Sequence, residues 1–296
     1  MMSTNRFVAR RLFSSAAAAL VFSLFSQGST RGPTGILEEP VQETAQQHVQ
    51  KARDALQKEN YRAAKDEAKR ALSLDKGTPE AYLLLGMIYR REGKWGDALR
   101  YTKEALKHKP DYSDAHYILG LLYFQKSDFA HAREEANLVI SQGSRFPNVY
   151  VLLAQAGLAS RNYPEALSAF ETALRLTPPG HEDAVKLQAQ IEALKGWIES
   201  TGRRLDPSYV QPKLLNSPQP EYTEEARAAG IQGTVRLAVL VSEAGKVAST
   251  LVFLGLGFGL DEQAVKAVRK LRFKPATKDG TSVPFWKLVA VEFNLR

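Results

Sequence analysis

A period of 34 residues runs through the first two-thirds of this sequence and limits the possible folds more than any other feature. Tyr61, Trp95, Phe129 and Tyr163 stand at one position of this period. Three further series keep the same interval: Ala64, Ala98, Ala132 and Ala166; Ala71, Ala105, Val139 and Ala173; and Leu72, Leu106, Ile140 and Leu174. Self-similarity at this interval is typical of repeat proteins, in which each unit is one supersecondary element. The period therefore predicts four stacked units.

Each unit is predicted to form two helices joined by a tight turn. In the second unit, Tyr82, Leu85 and Tyr89 recur at the spacing of one helical face. Gly93 interrupts the pattern before a second apolar stripe begins, and Pro110 ends that second helix because proline cannot continue the hydrogen-bond ladder. One such hairpin cannot bury its apolar face alone, so we expect the units to stack into a superhelix.

The repeats resemble the tetratricopeptide family. The second repeat, 79–112, matches the family pattern at Tyr82, Leu85, Gly86, Tyr89, Ala98, Ala105 and Pro110. The repeats at 45–78, 113–146 and 147–180 match it less completely. Residues 183–200 continue with helical spacing and are similar to the capping helix that ends such arrays. We therefore expect an all-α solenoid of four helical hairpins and a capping helix over residues 45–200.

This resemblance implies a concave groove, lined by the first helix of each repeat, in which such arrays bind extended peptides or partner helices. The positions implied are Leu83, Met87, Arg90, Tyr117, Leu121, Phe124, Val151, Gln155 and Leu158. The alternative is that some of them pack between neighbouring repeats. The asparagine and lysine set with which some family members clamp a C-terminal carboxylate is not recognisable in the sequence.

The helical pattern stops after residue 200, and four prolines between 201 and 220 predict extended backbone and a linker at 201–217. An α+β domain is predicted beyond it, with an antiparallel sheet that has helices on one face. Asp261 is the expected N-cap of its second helix. The predicted elements are a helix at 222–230, a hairpin with strands at 234–241 and 247–254, a helix at 260–271 and a last strand at 285–294.

The C-terminal part resembles the C-terminal domain of TonB over 218–296. The resemblance is carried by Gln219, Pro220, Glu221, Tyr222, Ala226, Gly233, Thr234, Val235, Gly245, Lys246, Val247, Leu260, Asp261, Ala264, Arg272, Phe273, Lys274, Pro275, Ala276, Asp279 and Gly280. It implies contact with outer-membrane transporters, whose N-terminal peptide adds as a strand to an exposed sheet edge.

The strand implied is the one at 285–293, and the Gln-Pro-x-Tyr segment lies near the same interface in the family. The expected partner-binding positions are Phe285, Lys287, Val289, Val291 and Phe293, together with Gln219, Pro220 and Tyr222. An edge strand without a partner is the alternative, with Pro284 and Lys287 as protection against unwanted pairing.

The first 28 residues have the composition of an export signal. Arg6, Arg10 and Arg11 precede an apolar run at 12–25, which is shorter than the roughly 20 residues that a spanning helix needs. We expect either a secretory signal or a short uncleaved membrane anchor, then a linker at 29–44. The protein is thus expected in the periplasm, soluble or held at the inner membrane. The net charge of +8 is not concentrated in one basic patch, which argues against nucleic acid as a partner.

No pattern indicates catalysis, a metal site or a cofactor. The chain has no cysteine and its five histidines are scattered without ligand spacing. The glycine-rich segment at 255–259 lacks the spacing of a phosphate loop, and we interpret it as a strand-to-helix connection.

The sequence therefore favours a non-enzymatic protein of two folded parts, an all-α repeat solenoid followed by a small α+β domain. By resemblance it is a periplasmic adaptor or energy transducer of TonB type. It would bind TonB-dependent outer-membrane transporters, an ExbB/ExbD-type inner-membrane motor and a peptide or helix in the groove. The alternative is an envelope scaffold that binds two partners without transmitting force.

Overall fold

The computed structural model describes residues 43–200 and 206–295. All of these residues fall within one compact unit of the chain, Glu43–Arg296. The export signal or anchor expected at 1–28, and all but the last two residues of the linker expected at 29–44, lie outside the described residues.

Residues 45–199 form consecutive helices, and the first eight pair as four helical hairpins, which confirms the solenoid. Each 34-residue period gives one hairpin, because its small residues let the two helix axes approach. Ala64, Ala98, Ala132 and Ala166 are all fully buried. The helices are α1 Ala45–Gln57, α2 Tyr61–Leu74, α3 Pro79–Arg91, α4 Trp95–His108, α5 Ser113–Gln125, α6 Phe129–Ser141, α7 Pro147–Ala159, α8 Tyr163–Leu176 and the capping helix α9 Glu182–Glu199.

The turn inside each hairpin also repeats at the same interval. Glu59, Gly93, Ser127 and Arg161 all have a left-handed backbone, with φ between 58° and 71°. Only one of these four residues is glycine, the type that adopts this conformation without a steric cost. The identical turns place the start of every second helix, and thus the aromatic series that begins with Tyr61, along one edge of the array.

The C-terminal part contains the expected antiparallel sheet, and its strand order is β4-β3-β8. The long central strand pairs with both neighbours over most of its length. The elements are β1 Tyr209–Val210, β2 Lys213–Leu214, α10 Glu224–Ala228, β3 Gly233–Val241, β4 Val247–Leu254, α11 Leu260–Arg269, β5 Phe273–Lys274, β6 Ala276–Lys278, β7 Thr281–Val283 and β8 Phe285–Phe293.

Much of the segment expected as a linker is part of the C-terminal fold. Strand β1 pairs with β6, and β2 pairs with β5. The side chain of Asn216 also bridges the backbone of Lys270 and Arg272. Prolines keep this segment extended as predicted, but extended backbone can pair with a strand as well as span a gap. Residues 209–216 therefore belong to the C-terminal fold.

The expectation that Asp261 is the N-cap of the second helix is wrong. Gly259, with φ +74°, occupies the cap position, and Asp261 lies in the first turn of α11. Its carboxylate accepts hydrogen bonds from the backbone N–H of Leu256 at 2.7 Å and from that of Gly257. Burial raises the pKa of this carboxyl, and the hydrogen bonds oppose that rise. The carboxylate thus holds the glycine-rich connection in place.

The sheet has helices against both of its faces, not one. Val235, Leu237 and Val239 on one face pack with Leu260, Ala264 and Val268 of α11. On the other face, Ala238 and Trp286 share a buried cluster with α7, α8 and α9 of the repeat array, as do Leu251 and Phe253. Local alternation predicted the first face, whereas the partner of the second comes from a distant part of the chain.

Candidate protein-binding surfaces

Strand β8 lies at one edge of the sheet. It pairs with β3 along its whole length, from Phe285 opposite Val241 to Phe293 opposite Gly233. Within 43–200 and 206–295, no strand pairs with its other side. A nine-residue edge of this kind presents unpaired backbone N–H and C=O groups to an added strand.

The side chains of β8 alternate between two environments. Those of Phe285, Val291 and Phe293 are 3%, 9% and 1% exposed and face the core beside α11. Lys287 and Val289 on the same face are half-buried. The five positions expected to bind a partner would therefore contribute mainly their backbone.

The exposed side chains of β8 are not among the five positions expected to bind a partner. Leu288 is 56% exposed, and Ala290 and Glu292 are also exposed. They alternate with the apolar positions, so strict period-2 reasoning could have identified them. A partner strand beside β8 would lie next to these three side chains.

The structure brings Tyr222 of the Gln-Pro-x-Tyr segment to the end of this strand. Its ring packs edge-on against Phe293 with the centroids 5.5 Å apart. Its hydroxyl donates a hydrogen bond to the carbonyl of Ile231 at 2.5 Å. Gln219 is exposed and Pro220 is half-buried. Tyr222 thus supports the β8 edge from the core side, while Gln219 remains open to solvent.

The expected groove positions divide into two groups by burial. Leu83 and Leu158 are 4% and 2% exposed and pack between helices. The other seven are half-buried, which leaves part of each side chain accessible: Met87, Arg90, Tyr117, Leu121, Phe124, Val151 and Gln155. These seven side chains are the ones a groove partner could reach.

Arg90 and Tyr117 interact across α3 and α5. Burial lowers the pKa of Arg90, and burial raises the pKa of Tyr117 to about 12 although the nearby guanidinium opposes that rise. The Nε of Arg90 is buried and has no hydrogen-bond partner among the described residues. A buried donor without an acceptor costs about 1–3 kcal/mol.

The contact between array and sheet is centred on aromatic rings. Trp197 of α9 packs edge-on against Phe253 of β4 at 4.9 Å between centroids, and Tyr163 lies 5.8 Å from the same ring. Trp286 approaches α9 at Gly196, where an added Cβ would lie 3.1 Å from the indole Nε1. The aromatic series of the repeats thus supplies part of the docking surface for the sheet.

A second, smaller contact joins the C-terminal part to the second repeat. Trp95 packs edge-on against Phe258, with the centroids 5.8 Å apart and the rings at 89°. Arg91 lies 3.8 Å from Glu225, and both side chains are nearly half exposed. The array is therefore held to the C-terminal part at two places, near the second repeat and at the capping helix.

None of the helices in the described part of the chain is long and apolar enough to cross a bilayer. No group of three or more histidine, aspartate or glutamate side chains in 43–200 and 206–295 is arranged to hold a metal ion.

Comparison with known proteins identifies both parts of the chain. The family model of the Gram-negative bacterial TonB protein C-terminal matches residues 218–295, and a tetratricopeptide repeat model matches 49–101, 83–145 and 151–196. The Protein tonB2 of Pseudomonas aeruginosa is 37% identical over 82 residues, or 27% of this chain and 30% of that protein. The human Tetratricopeptide repeat protein 13 is 37% identical over 65 residues, or 22% of this chain and 8% of that protein.

The chain therefore spans under a third of the length of either curated relative. Among solved structures, MamA from Desulfovibrio magneticus matches with a TM-score of 0.47 at 17% identity, covering 54% of this chain and 88% of that one.

Proposed function

Because this chain joins tetratricopeptide repeats to a TonB C-terminal domain, we propose that it is a periplasmic adaptor of TonB type. In this proposal β8 binds outer-membrane transporters by strand addition, and the repeat groove recruits a second protein. Both domain families are protein-interaction modules, so a role in protein binding is the coarser conclusion. The free edge of β8 is the observation that supports the more specific proposal, in which a transporter binds by strand addition.

Strand addition at β8 is energetically suited to a transient contact. About six new backbone hydrogen bonds would contribute roughly 3–9 kcal/mol. Ordering a flexible peptide costs about 1–2 kcal/mol per residue in backbone entropy, which nearly cancels that gain. Side-chain contacts must supply the surplus, and Leu288, Ala290 and Glu292 are the exposed side chains that β8 offers. We therefore expect modest affinity.

The groove offers a second site with different chemistry. Its accessible side chains are mostly apolar or aromatic. Such a surface fits a peptide or helix that presents an apolar stripe. The groove and the β8 edge belong to one described unit of the chain, so a single molecule could hold two partners.

Two versions of this function differ in whether force is transmitted. An energy transducer needs a connection to an inner-membrane motor through the N-terminal segment. An envelope scaffold needs only the two binding sites. The docked aromatic contact between array and sheet supports the scaffold version as a second candidate, because it holds the two sites in a fixed relation.

The test uses the absence of native cysteine. Single cysteines at Leu288→Cys, Ala290→Cys and Glu292→Cys, on the exposed face of β8, would be cross-linked in cells and the captured proteins identified. Ala248→Cys, exposed on the opposite edge strand, is the matched control. We expect outer-membrane transporters to be captured from β8 and not from the control.

Capture of transporters together with an inner-membrane motor protein would favour the transducer. Capture of envelope proteins without a motor would favour the scaffold. Equal capture from β8 and from Ala248→Cys would contradict strand addition at this edge.

A further inference from the structure

The free edge of β8 carries two charges that have no ion-pair partner within 43–200 and 206–295. Lys287 is half-buried on the face toward α11, and Glu292 is exposed on the face toward the repeat array. Neither forms an ion pair with any other described residue. Leu288, next to Lys287, is the most exposed large apolar side chain of the sheet, at 56%. These three side chains make the edge chemically asymmetric along its length.

A strand beside β8 would place its side chains directly against these three. In a β-ladder, cross-strand neighbours lie on the same face, and opposite charges at such positions attract. An acidic residue is favoured opposite Lys287, an apolar residue opposite Leu288 and a basic residue opposite Glu292. The acidic and apolar residues are then adjacent, and the basic residue stands four positions from the apolar one. This spacing holds for a parallel or an antiparallel peptide, with the order reversed.

We propose that the occupant of β8 is an extended peptide with a defined order of side chains. In an antiparallel peptide, a basic residue comes first and is followed by any three residues, an apolar residue and an acidic residue. In a parallel peptide, the same residues come in the reverse order. The proposal rests on the strand addition proposed above and adds the chemistry of the peptide.

A second copy of the chain does not satisfy this pattern. When two identical strands pair antiparallel about an axis normal to the sheet, paired residues share a face, so odd-numbered residues oppose only odd-numbered ones. Lys287 would then face Phe285, Val289, Val291, Phe293 or another Lys287, but never Glu292. Self-pairing thus leaves both charges unmatched, which favours a foreign peptide as the partner.

The test is a charge-swap experiment on the full chain. The probes are four fluorescent octapeptides: Thr-Lys-Val-Thr-Val-Leu-Glu-Thr, its reversed sequence, and both with lysine and glutamate exchanged. Fluorescence anisotropy measures the dissociation constants for the wild type and for the double variant Lys287→Glu/Glu292→Lys. The control variant Glu262→Lys/Lys266→Glu makes the same exchange on the exposed side of α11, where neither residue has an ion pair among the described residues.

We expect the wild type and the control variant to prefer a matched peptide about fivefold or more over its charge-exchanged form. The double variant should show the opposite preference, and added salt should reduce both. An inverted preference cannot result from misfolding, which would weaken all four peptides alike.

Equal affinity for matched and exchanged peptides would overturn the charge order and leave strand addition at β8 standing. The proposed charge order would also be overturned if the control variant inverted the preference in the same way as the double variant. Binding of no peptide, with β8 cross-links equal to those of the Ala248→Cys control, would overturn the proposed function itself. Concentration-dependent dimerisation that the peptides do not compete with, together with no peptide preference, would replace the peptide by a second copy.

Discussion

The two faces of the C-terminal sheet are covered by different parts of the chain. One face is covered by helices close to the sheet in sequence, and the other by the repeat array, which lies far from it in sequence. Phe293 on one face packs with elements of its own domain, including α10 and α11. Trp286 on the other face packs with the repeat array, about ninety residues earlier at Gly196. Both side chains are buried, at 1% and 5% exposure. Equal burial thus does not reveal whether a residue holds one domain together or joins two.

The position of the proposed binding edge depends on both faces of the sheet. Strand β8 contributes to both faces, so its position depends on its own domain and on the capping helix α9. Its exposed residues Leu288 and Ala290 follow Trp286 on the array side of the sheet. Docking against the array therefore helps to fix the edge at which a partner strand would bind.

The largest expected effect separates the two faces directly. Trp286→Ala and Phe293→Ala should each lower the free energy of unfolding by about 3–5 kcal/mol, because each leaves a cavity in a packed core. Hydrogen exchange should distinguish them. Trp286→Ala should raise exchange in α9 as well as in the sheet, whereas Phe293→Ala should raise it in the sheet and α11.

One result would contradict the dependence of the second face on the repeat array. If Trp286→Ala costs less than about 1 kcal/mol and leaves exchange in α9 unchanged, the second face does not depend on the array.

A smaller effect is expected at Gly196, where α9 meets the indole of Trp286. Gly196→Leu would push a side chain against the indole of Trp286, and overpacking of this kind costs about 1–3 kcal/mol. Gly96→Leu in α4 is the matched control, because no atom lies within 4 Å of an added Cβ there. Thermal unfolding should show destabilisation for Gly196→Leu alone. A similar loss in both variants would assign the effect to the helix and not to the docking contact.

The smallest effect is expected at the second contact between array and C-terminal part. Glu225→Gln removes the ion pair with Arg91, in which both side chains are nearly half exposed. Solvent screens such pairs, so the loss should be about 0–1 kcal/mol and should diminish in high salt. A double-mutant cycle with Arg91→Gln measures the coupling. A coupling energy well above 1 kcal/mol would show that this contact, and not the capping helix, dominates docking.

The helical repeats were predictable because their signal is local and repeated four times. Gly93 and Pro110 also marked helix ends that the structure places within a few residues. Strand β4 was predicted with its observed limits for a similar reason, since its turn and alternation lie in neighbouring residues. The register of Lys287 and Leu288 on opposite faces of β8 follows from the same alternation.

The docking contacts could not be predicted in this way. Tyr163 and Trp95 fit the repeat pattern as packing residues, and nothing in that pattern shows that they also contact Phe253 and Phe258. The cap at Gly259 was missed because aspartate is a common N-cap, while here the carboxylate of Asp261 is turned back toward the preceding loop.

By itself, the sequence determined the order of the helices, the alternation of the strands and the resemblance of both parts to protein-interaction domains. Each of these depends on residues close together in the chain, where hydrophobic period and turn chemistry decide the outcome. The pairing of apolar faces, including the contact by which the array covers the second face of the sheet, is visible only in the folded protein. The hydrophobic effect has no direction, so a sequence shows which residues must be buried but not which distant residues will bury them.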